Sequence, residues 1–311
     1  MKTLVPNYYK SFKCIADKCK HSCCKGWEID VDEDTLKFYK SVKGNLGKRL
    51  SENIETDEEN QAHFILFEDE RCPFLNECCL CDIISELGEN ALCQICGDHP
   101  RFRNFYDDRT EMGLGICCEA AAEIMLSFEE KVNLVTLEDD GTDITRDDDF
   151  FAFREKIFEI VQDRSLTIEK RIEDMFSYVG VIYSPMSRDE QYEIYISLEK
   201  LDEGRDEILE KVKSLGENFP AEEIFSENEK AFEQLLYYFV MRHFTPFCDI
   251  YEAYEKLSFC ADSVYMIASL WAVSIKEKGK ALFEDLAEAA RFYSSEVEYS
   301  EENLEMLIYE K

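Results

Sequence analysis

The sequence is short of positive charge. Against 68 Asp and Glu side chains it carries 35 Lys and Arg, a formal net charge of −33. Nucleic-acid backbones are bound by basic faces, so this balance excludes nucleic acid as the main partner. It also speaks against docking on anionic membrane surfaces, and it suits a basic partner or plain solubility. No apolar run approaches the roughly 20 residues needed to cross a bilayer, so no membrane insertion is expected. Met1–Phe12 contains no apolar stretch of the signal-peptide kind, and the chain is expected to be cytoplasmic. No repeat of about 20 to 50 residues is visible. Strand signals are sparse, the best being His63-Phe64-Ile65-Leu66-Phe67. The Gly-rich first turn of a doubly wound nucleotide-binding sheet is also missing. Gly113-Leu114-Gly115 is its nearest approach.

What is present is enough apolar sequence for a substantial core. The 311 residues are 45% apolar, which suits one large or two modest domains. Residues 136–149 are acidic and turn-prone and read as a linker or long surface loop. Beyond them, apolar residues recur at helical spacing, first at Phe151, Phe153, Ile157, Phe158 and Val161. Similar stripes follow near 167–180, 189–201, 205–215, 227–244, 248–277 and 279–308, punctuated by Pro185, Gly204, Gly216 and Pro220. The expected fold is mainly α. A cysteine-rich, metal-stapled, irregular region spans 1–135, and a C-terminal helical bundle spans 150–311.

Cysteine is the informative residue. Of 14, 12 fall between Cys14 and Cys118, and only Cys248 and Cys260 lie beyond. Those two are expected to be packing residues. In a cytosolic chain, clustered thiols bind metal or do redox chemistry more often than they form disulfides. Four groups stand out: Cys14-x4-Cys19-x3-Cys23-Cys24; Cys72 followed by Cys78-Cys79-x-Cys81; Cys93-x2-Cys96; and Cys117-Cys118. Two cysteines separated by two residues can aim both sulfurs at one ion, as in Cys93-x2-Cys96. Adjacent cysteines on an extended chain point to opposite faces, so either one of each pair ligates while the other packs, or the two serve different metals. Zinc ribbons need two such C-x2-C pairs, and one is present. Ferredoxin spacings and the C-x3-C-x2-C triplet of radical S-adenosylmethionine enzymes are absent. The residues point to a polythiolate metal site, with an iron–sulfur cluster favoured over zinc. The expected ligands are a subset of Cys14, Cys19, Cys23, Cys24, Cys72, Cys81, Cys93, Cys96 and Cys118.

These residues in this order resemble the flagellin lysine-N-methylase family, whose N-terminal segment is related to a zinc- or iron-chelating CxxCxxCC domain. The likeness rests on Phe12-Lys13-Cys14, Cys19-x3-Cys23-Cys24-x-Gly26-Trp27, Cys72-Pro73-Phe74-Leu75-Asn76-Glu77 and Cys81-Asp82-Ile83. Leu87-Gly88, Leu92-Cys93-x2-Cys96, Pro100-Arg101 and Cys118-Glu119 follow in the family's order. In the C-terminal half, Tyr237-Tyr238-Phe239 to Arg242-His243-Phe244 and the stretch 293–303 resemble the family's aromatic helix and terminal motif. The resemblance implies methyl transfer from S-adenosylmethionine to lysine ε-amines of flagellin, and a 4Fe-4S cluster. Cys78, Cys79 and Cys117 lie outside the family pattern and are expected to be bystanders. His99 stands where an aromatic residue is expected. It is either a ligand or acid–base group, or a plain loop histidine. Lysine methylation needs a neutral amine, so the site groups are expected among aromatics and carbonyls, with Tyr293 and Tyr299 as candidates or else plain residues of an amphipathic helix. The rival reading is a metal-chelating or iron–sulfur chaperone protein with an appended helical interaction domain.

Overall fold

The computed structural model describes residues 1–58, 60–142, 149–216 and 220–310. It divides into two units: Lys13–Arg101, and Met1–Phe12 together with Phe102–Lys311. The expected division at residue 135 is therefore displaced. The reason is strand pairing. Lys2–Pro6 lies parallel to Arg109–Leu114 and antiparallel to Leu134–Asp139. A strand at Arg101–Phe105 completes a four-stranded sheet, which draws both the N-terminus and residues 102–139 into the helical unit. Residues 136–139, expected to open a linker, pair at the edge of that sheet. Most of the remaining linker, 143–148, lies outside the described residues.

The mainly α expectation is borne out. The helical unit contains Asp149–Val161, Ile168–Val179, Arg188–Ser197, Arg205–Lys213, Ala221–Glu227, Glu229–His243, Ile250–Lys278 and Phe283–Val297, close to the apolar stripes. Local chemistry sets their ends. Thr167, Ser187, Asn228, Asp249 and Ser300 each accept a backbone N–H at a helix start, and Ser187 forms a reciprocal capping box with Glu190. Gly180 and Gly279 end their helices in the left-handed conformation that glycine adopts without strain.

Ile250–Lys278 is long and apolar enough to cross a membrane by length and composition, contrary to the expectation that no such segment exists. However, 83% of its most apolar window is buried inside the protein, so it is read as a core helix. It packs against Phe283–Val297, Glu229–His243 and Arg205–Lys213. The isolated cysteines split: Cys260 is buried in this core as expected, whereas Cys248 is exposed.

A carboxylate is buried in the same unit. Glu233, 1% exposed, accepts hydrogen bonds from Arg171 Nη1 at 2.7 Å and from Arg164 Nη2 at 2.8 Å. Its neighbour Gln234 donates to the Phe128 and Glu130 carbonyls. Together they tie Glu229–His243 to the start of Ile168–Val179 and to the loop before Leu134–Asp139.

The Lys13–Arg101 unit is less irregular than expected. It has helices at Glu33–Ser41, Gly44–Glu52, Asp82–Leu87 and Gln94–Asp98, and a three-stranded antiparallel sheet in the order Asp30–Val31, Ala62–Phe64, Ile54–Thr56. The central strand overlaps the strand candidate at His63. Its core is its own: Ile29, Val31, Tyr39, Leu46, Leu50, Phe64, Phe74 and Ile83, joined by Cys72 and Cys93. Asp32 caps two helices at once, accepting from Thr35 N at 3.0 Å and Gln94 N at 2.8 Å.

Removing one partner of a buried ion pair leaves an uncompensated charge. Glu233→Ala is expected to lower unfolding free energy by about 3–5 kcal/mol, measured by urea denaturation. A loss below about 1 kcal/mol, the scale of surface pairs, would show that the cluster is not a stabilising tie.

Candidate functional site

Five of the predicted metal ligands converge electrostatically in the Lys13–Arg101 unit: Cys24, Cys72, Cys81, Cys93 and Cys96. Short elements bring them in. Cys72 N donates to the Cys24 carbonyl at 2.8 Å, which clamps the two segments together. Cys81 and Cys93 each sit at the cap of a short helix, and Cys96 lies one turn into the second. Burial pushes the Cys72 thiol up to about 12, and the neighbouring Cys24, Cys81 and Cys93 sulfurs push it in the same direction. Cys81 is raised by burial and by Cys24. Cys93 and Cys96 share a sulfur–sulfur hydrogen bond that holds Cys93 low and raises Cys96, which also feels Cys24 and Cys72. A hydrogen bond from Cys23 brings Cys24 down to about 7.

Among the described residues, no three His, Cys, Asp or Glu side chains converge closely enough to hold a metal ion as they stand. In donor chemistry, burial and mutual electrostatic influence, the five thiols fit a polythiolate-bound group. The other predicted ligands are placed differently. Cys14 is exposed and accepts from Ala16 N. Cys19 donates to the His21 carbonyl at 3.1 Å. Cys23 is exposed beside Cys24. Cys118 belongs to the other unit, at the cap of Glu119–Leu126. Cys78 and Cys79 are exposed, in a turn where Asn76 Oδ1 accepts from Cys78 N and Leu80 N. Burial, with Arg101 nearby, lowers His99 to about 4, so its imidazole is neutral.

In the helical unit the two stretches singled out in the sequence meet at one carboxylate. Glu298 accepts from Tyr238 Oη at 2.8 Å, His243 Nε2 at 2.6 Å and Ser294 Oγ at 2.5 Å, with Arg242 Nε at 3.2 Å. Its side chain is 0% exposed. Burial alone would raise its pKa, but the Arg242 guanidinium and the hydrogen bonds from His243 and Ser294 outweigh it and hold Glu298 at about 2. Burial keeps His243 neutral by lowering its pKa. Arg242 also donates to Tyr238 Oη at 2.7 Å and stands 4.7 Å over the Phe102 ring. Gly113 allows Phe102 that position, because a Cβ there would lie 2.3 Å from the ring. The Gly113-Leu114-Gly115 stretch thus serves packing within a strand.

The cluster reaches the surface through Tyr299, which is 41% exposed and accepts from Cys117 Sγ at 2.9 Å. Burial drives Cys117 to about 12, so it stays a thiol. It is therefore tied to this cluster through Tyr299. Of the two candidate tyrosines, Tyr299 is at the rim. Tyr293 is buried, its hydroxyl within hydrogen-bond distance of Ser263 Oγ and Tyr195 Oη. Glu298 and His243 received no individual role from the sequence. The signal was there: Ser294 with Glu298, and Tyr238 with Arg242, are polar pairs four residues apart on helices whose apolar stripes mark buried faces.

A mainly helical protein with a separate thiol-rich unit is the class these features define. The family resemblance finds support in part of the helical unit, where residues 175–310 match the FliB lysine N-methylase C-terminal domain. Over 134 residues, 42% of this chain, the sequence is 28% identical to the flagellar biosynthetic protein FliU of Salmonella muenchen, covering 79% of that protein. The same identity and length link it to the lysine-N-methylases of Salmonella typhimurium and Salmonella choleraesuis, of which the match spans 33%. No solved structure matches the chain.

Glu296, on the same helix as Ser294, carries a pH signature. Burial raises its carboxyl to about 7, against lowering by the Leu201 amide and Arg205. Its Oε1 has no hydrogen-bond partner, and Arg205 Nε is 4.0 Å from Oε2. The folded state therefore binds this proton more tightly than the unfolded chain does. Its stabilising contribution is complete below the ordinary glutamate pKa and is lost as pH rises through about 7. Glu296→Gln is expected to raise Tm at pH 8 relative to wild type and to have little effect at pH 4.5. Equal effects at both pH values would refute the assignment.

Proposed function

We propose that this protein is a lysine N-methyltransferase that transfers methyl groups from S-adenosylmethionine to lysine side chains of flagellin in the cytoplasm. The observation that carries the reading is the meeting of residues 237–244 and 293–303 at Glu298, inside the stretch that matches the FliB lysine N-methylase C-terminal domain. The names of the relatives support lysine as the acceptor and a flagellar context.

In the reaction, the amine lone pair forms an N–C bond to the donor methyl. The C–S bond breaks, its electrons stay on sulfur, and the ammonium product sheds a proton. The amine must first be neutral, although its ordinary pKa is near 10.4. In this cluster Glu298 is ionised but fully engaged by Arg242, His243, Tyr238 and Ser294. Ionised Glu298 and charged Arg242 cancel, and His243 is neutral, so no unpaired carboxylate of this cluster fixes an approaching amine as ammonium. Burial and Cys117 push the Tyr299 hydroxyl well above its usual range, so it keeps its proton and offers an oxygen to an amine N–H. Cys24, Cys72, Cys81, Cys93 and Cys96 would hold a thiolate-ligated group, a 4Fe-4S cluster in preference to zinc. When bound, it would supply a Lewis-acidic centre within the Lys13–Arg101 unit.

The test is anaerobic purification with metal analysis and an absorbance spectrum, followed by incubation with flagellin and S-adenosylmethionine and peptide mass spectrometry. Methylated lysines support the reading. A metal-loaded protein that leaves flagellin unmodified would favour the metal-carrier alternative. Single Cys→Ser changes at the five converging positions are expected to lower bound metal several-fold, whereas Cys78→Ser and Cys79→Ser retain it. Full retention in all five would remove them as ligands.

The net charge of −33 creates a negative potential that draws in a basic substrate and is screened over about 8–10 Å at physiological ionic strength. Rising salt is accordingly expected to lower kcat/KM for flagellin more than kcat. A flat kcat/KM between low and physiological ionic strength would leave acidity as a matter of solubility.

A further inference from the structure

The start of Ile250–Lys278 and the terminal turn Met306–Glu310 pack together and leave apolar side chains in water. Ile250 is 52% exposed, Tyr251 67% and Tyr309 46%. Single exposed apolar residues are ordinary, but several on adjoining elements form a patch. Glu305 lies four residues before Tyr309, and the Tyr309 hydroxyl also feels the charges of Glu252 and Glu255 on the adjoining helix. Tyr251 and Glu255 are four residues apart on one helix and so share a face. The nearby cation is engaged with Glu252 alone of these three carboxylates. Lys256 is buried, donating to the Pro246 carbonyl at 2.8 Å and pairing with Glu252 at 2.8 Å. Glu305 is exposed and Glu255 half-buried, each four residues from an exposed tyrosine.

We propose that this patch docks a basic, amphipathic helical segment of a partner protein. Aromatic side chains offer large, rigid contact area with a polar tip, the kind of residue enriched at interfaces. Their faces attract ammonium and guanidinium groups, and the surrounding carboxylates add charge complementarity and orientation. A helix presenting apolar residues on one stripe and Lys or Arg on its flanks satisfies both features at once. A second copy of this chain fits less well, because two copies of a chain with a net charge of −33 repel. The inference does not depend on the methyltransferase reading.

The probe is a fluorescein-labelled helical peptide of alternating leucine and lysine pairs, titrated with the full chain by fluorescence anisotropy at physiological salt. A leucine–glutamate peptide of the same pattern is the control. The wild type is expected to bind the lysine peptide and not the glutamate peptide. Tyr251→Ser combined with Tyr309→Ser should weaken binding at least about tenfold, equivalent to about 1.4 kcal/mol. Glu255→Gln with Glu305→Gln should weaken it and flatten its salt dependence. Glu203→Gln with Glu207→Gln removes two exposed carboxylates elsewhere and should change affinity less than about twofold. The proposal is overturned if the wild type does not bind, if the tyrosine variant binds like wild type, or if the remote pair matters as much as the local one. Sedimentation that shows wild-type self-association abolished by the tyrosine changes would assign the patch to a second copy and overturn it as well.

Discussion

A carboxylate taken out of water must be surrounded by donors or lose its charge, and in the helical unit Glu298 meets that demand with side chains from two helices. Tyr238, Arg242 and His243 come from the end of Glu229–His243, and Ser294 comes from Phe283–Val297. The Ile116 amide donates to the same Tyr238 oxygen at 3.5 Å, which adds the turn that carries Cys117 and Cys118. Each donor satisfies Glu298 and is itself held in one orientation. The helix ends, the cysteine turn and the rim tyrosine consequently share one geometry. Glu233 does the same for the opposite end of that helix, where Arg164 and Arg171 are its partners.

The thiol-rich unit follows another logic. Its apolar core is small, and two of its members are themselves cysteines, Cys72 and Cys93. Burial disfavours thiolate charge, so Cys72, Cys81 and Cys96 are held as neutral thiols that pack like small apolar groups. Metal ligation is the condition that reverses this preference, because the cation stabilises the thiolate that burial penalises. One set of side chains therefore serves packing and fits ligation.

Helix positions were largely legible in the sequence, because a helix buries a stripe and the stripe repeats at a fixed spacing. The strand at Leu134–Asp139 was not. Its sequence, Leu-Val-Thr-Leu-Glu-Asp, ends in acidic residues that resemble a linker, and its pairing partner lies more than a hundred residues away at the N-terminus. The Lys2–Pro6 strand was missed for the same reason. Cys248 and Cys260 looked alike as isolated thiols, and only their places at the edge and centre of one helix region separated them.

The nine candidate ligands show the same boundary. Clustering and spacing led to the expectation of a polythiolate set, because ligand chemistry needs particular residue types near one another in the chain. The sequence by itself determined the thiol-rich character of the first third, the helical character of the rest, the acidic surface and the two C-terminal stretches that carry the family resemblance. The tertiary structure decided which five thiols sense one another, that Cys118 lies in a different unit, and that Glu298 gathers Tyr238, Arg242 and His243. Composition and periodicity are local, so they survive in the linear text. Convergence of a carboxylate with donors some sixty residues distant depends on how helices cross, and that is settled only when the core packs.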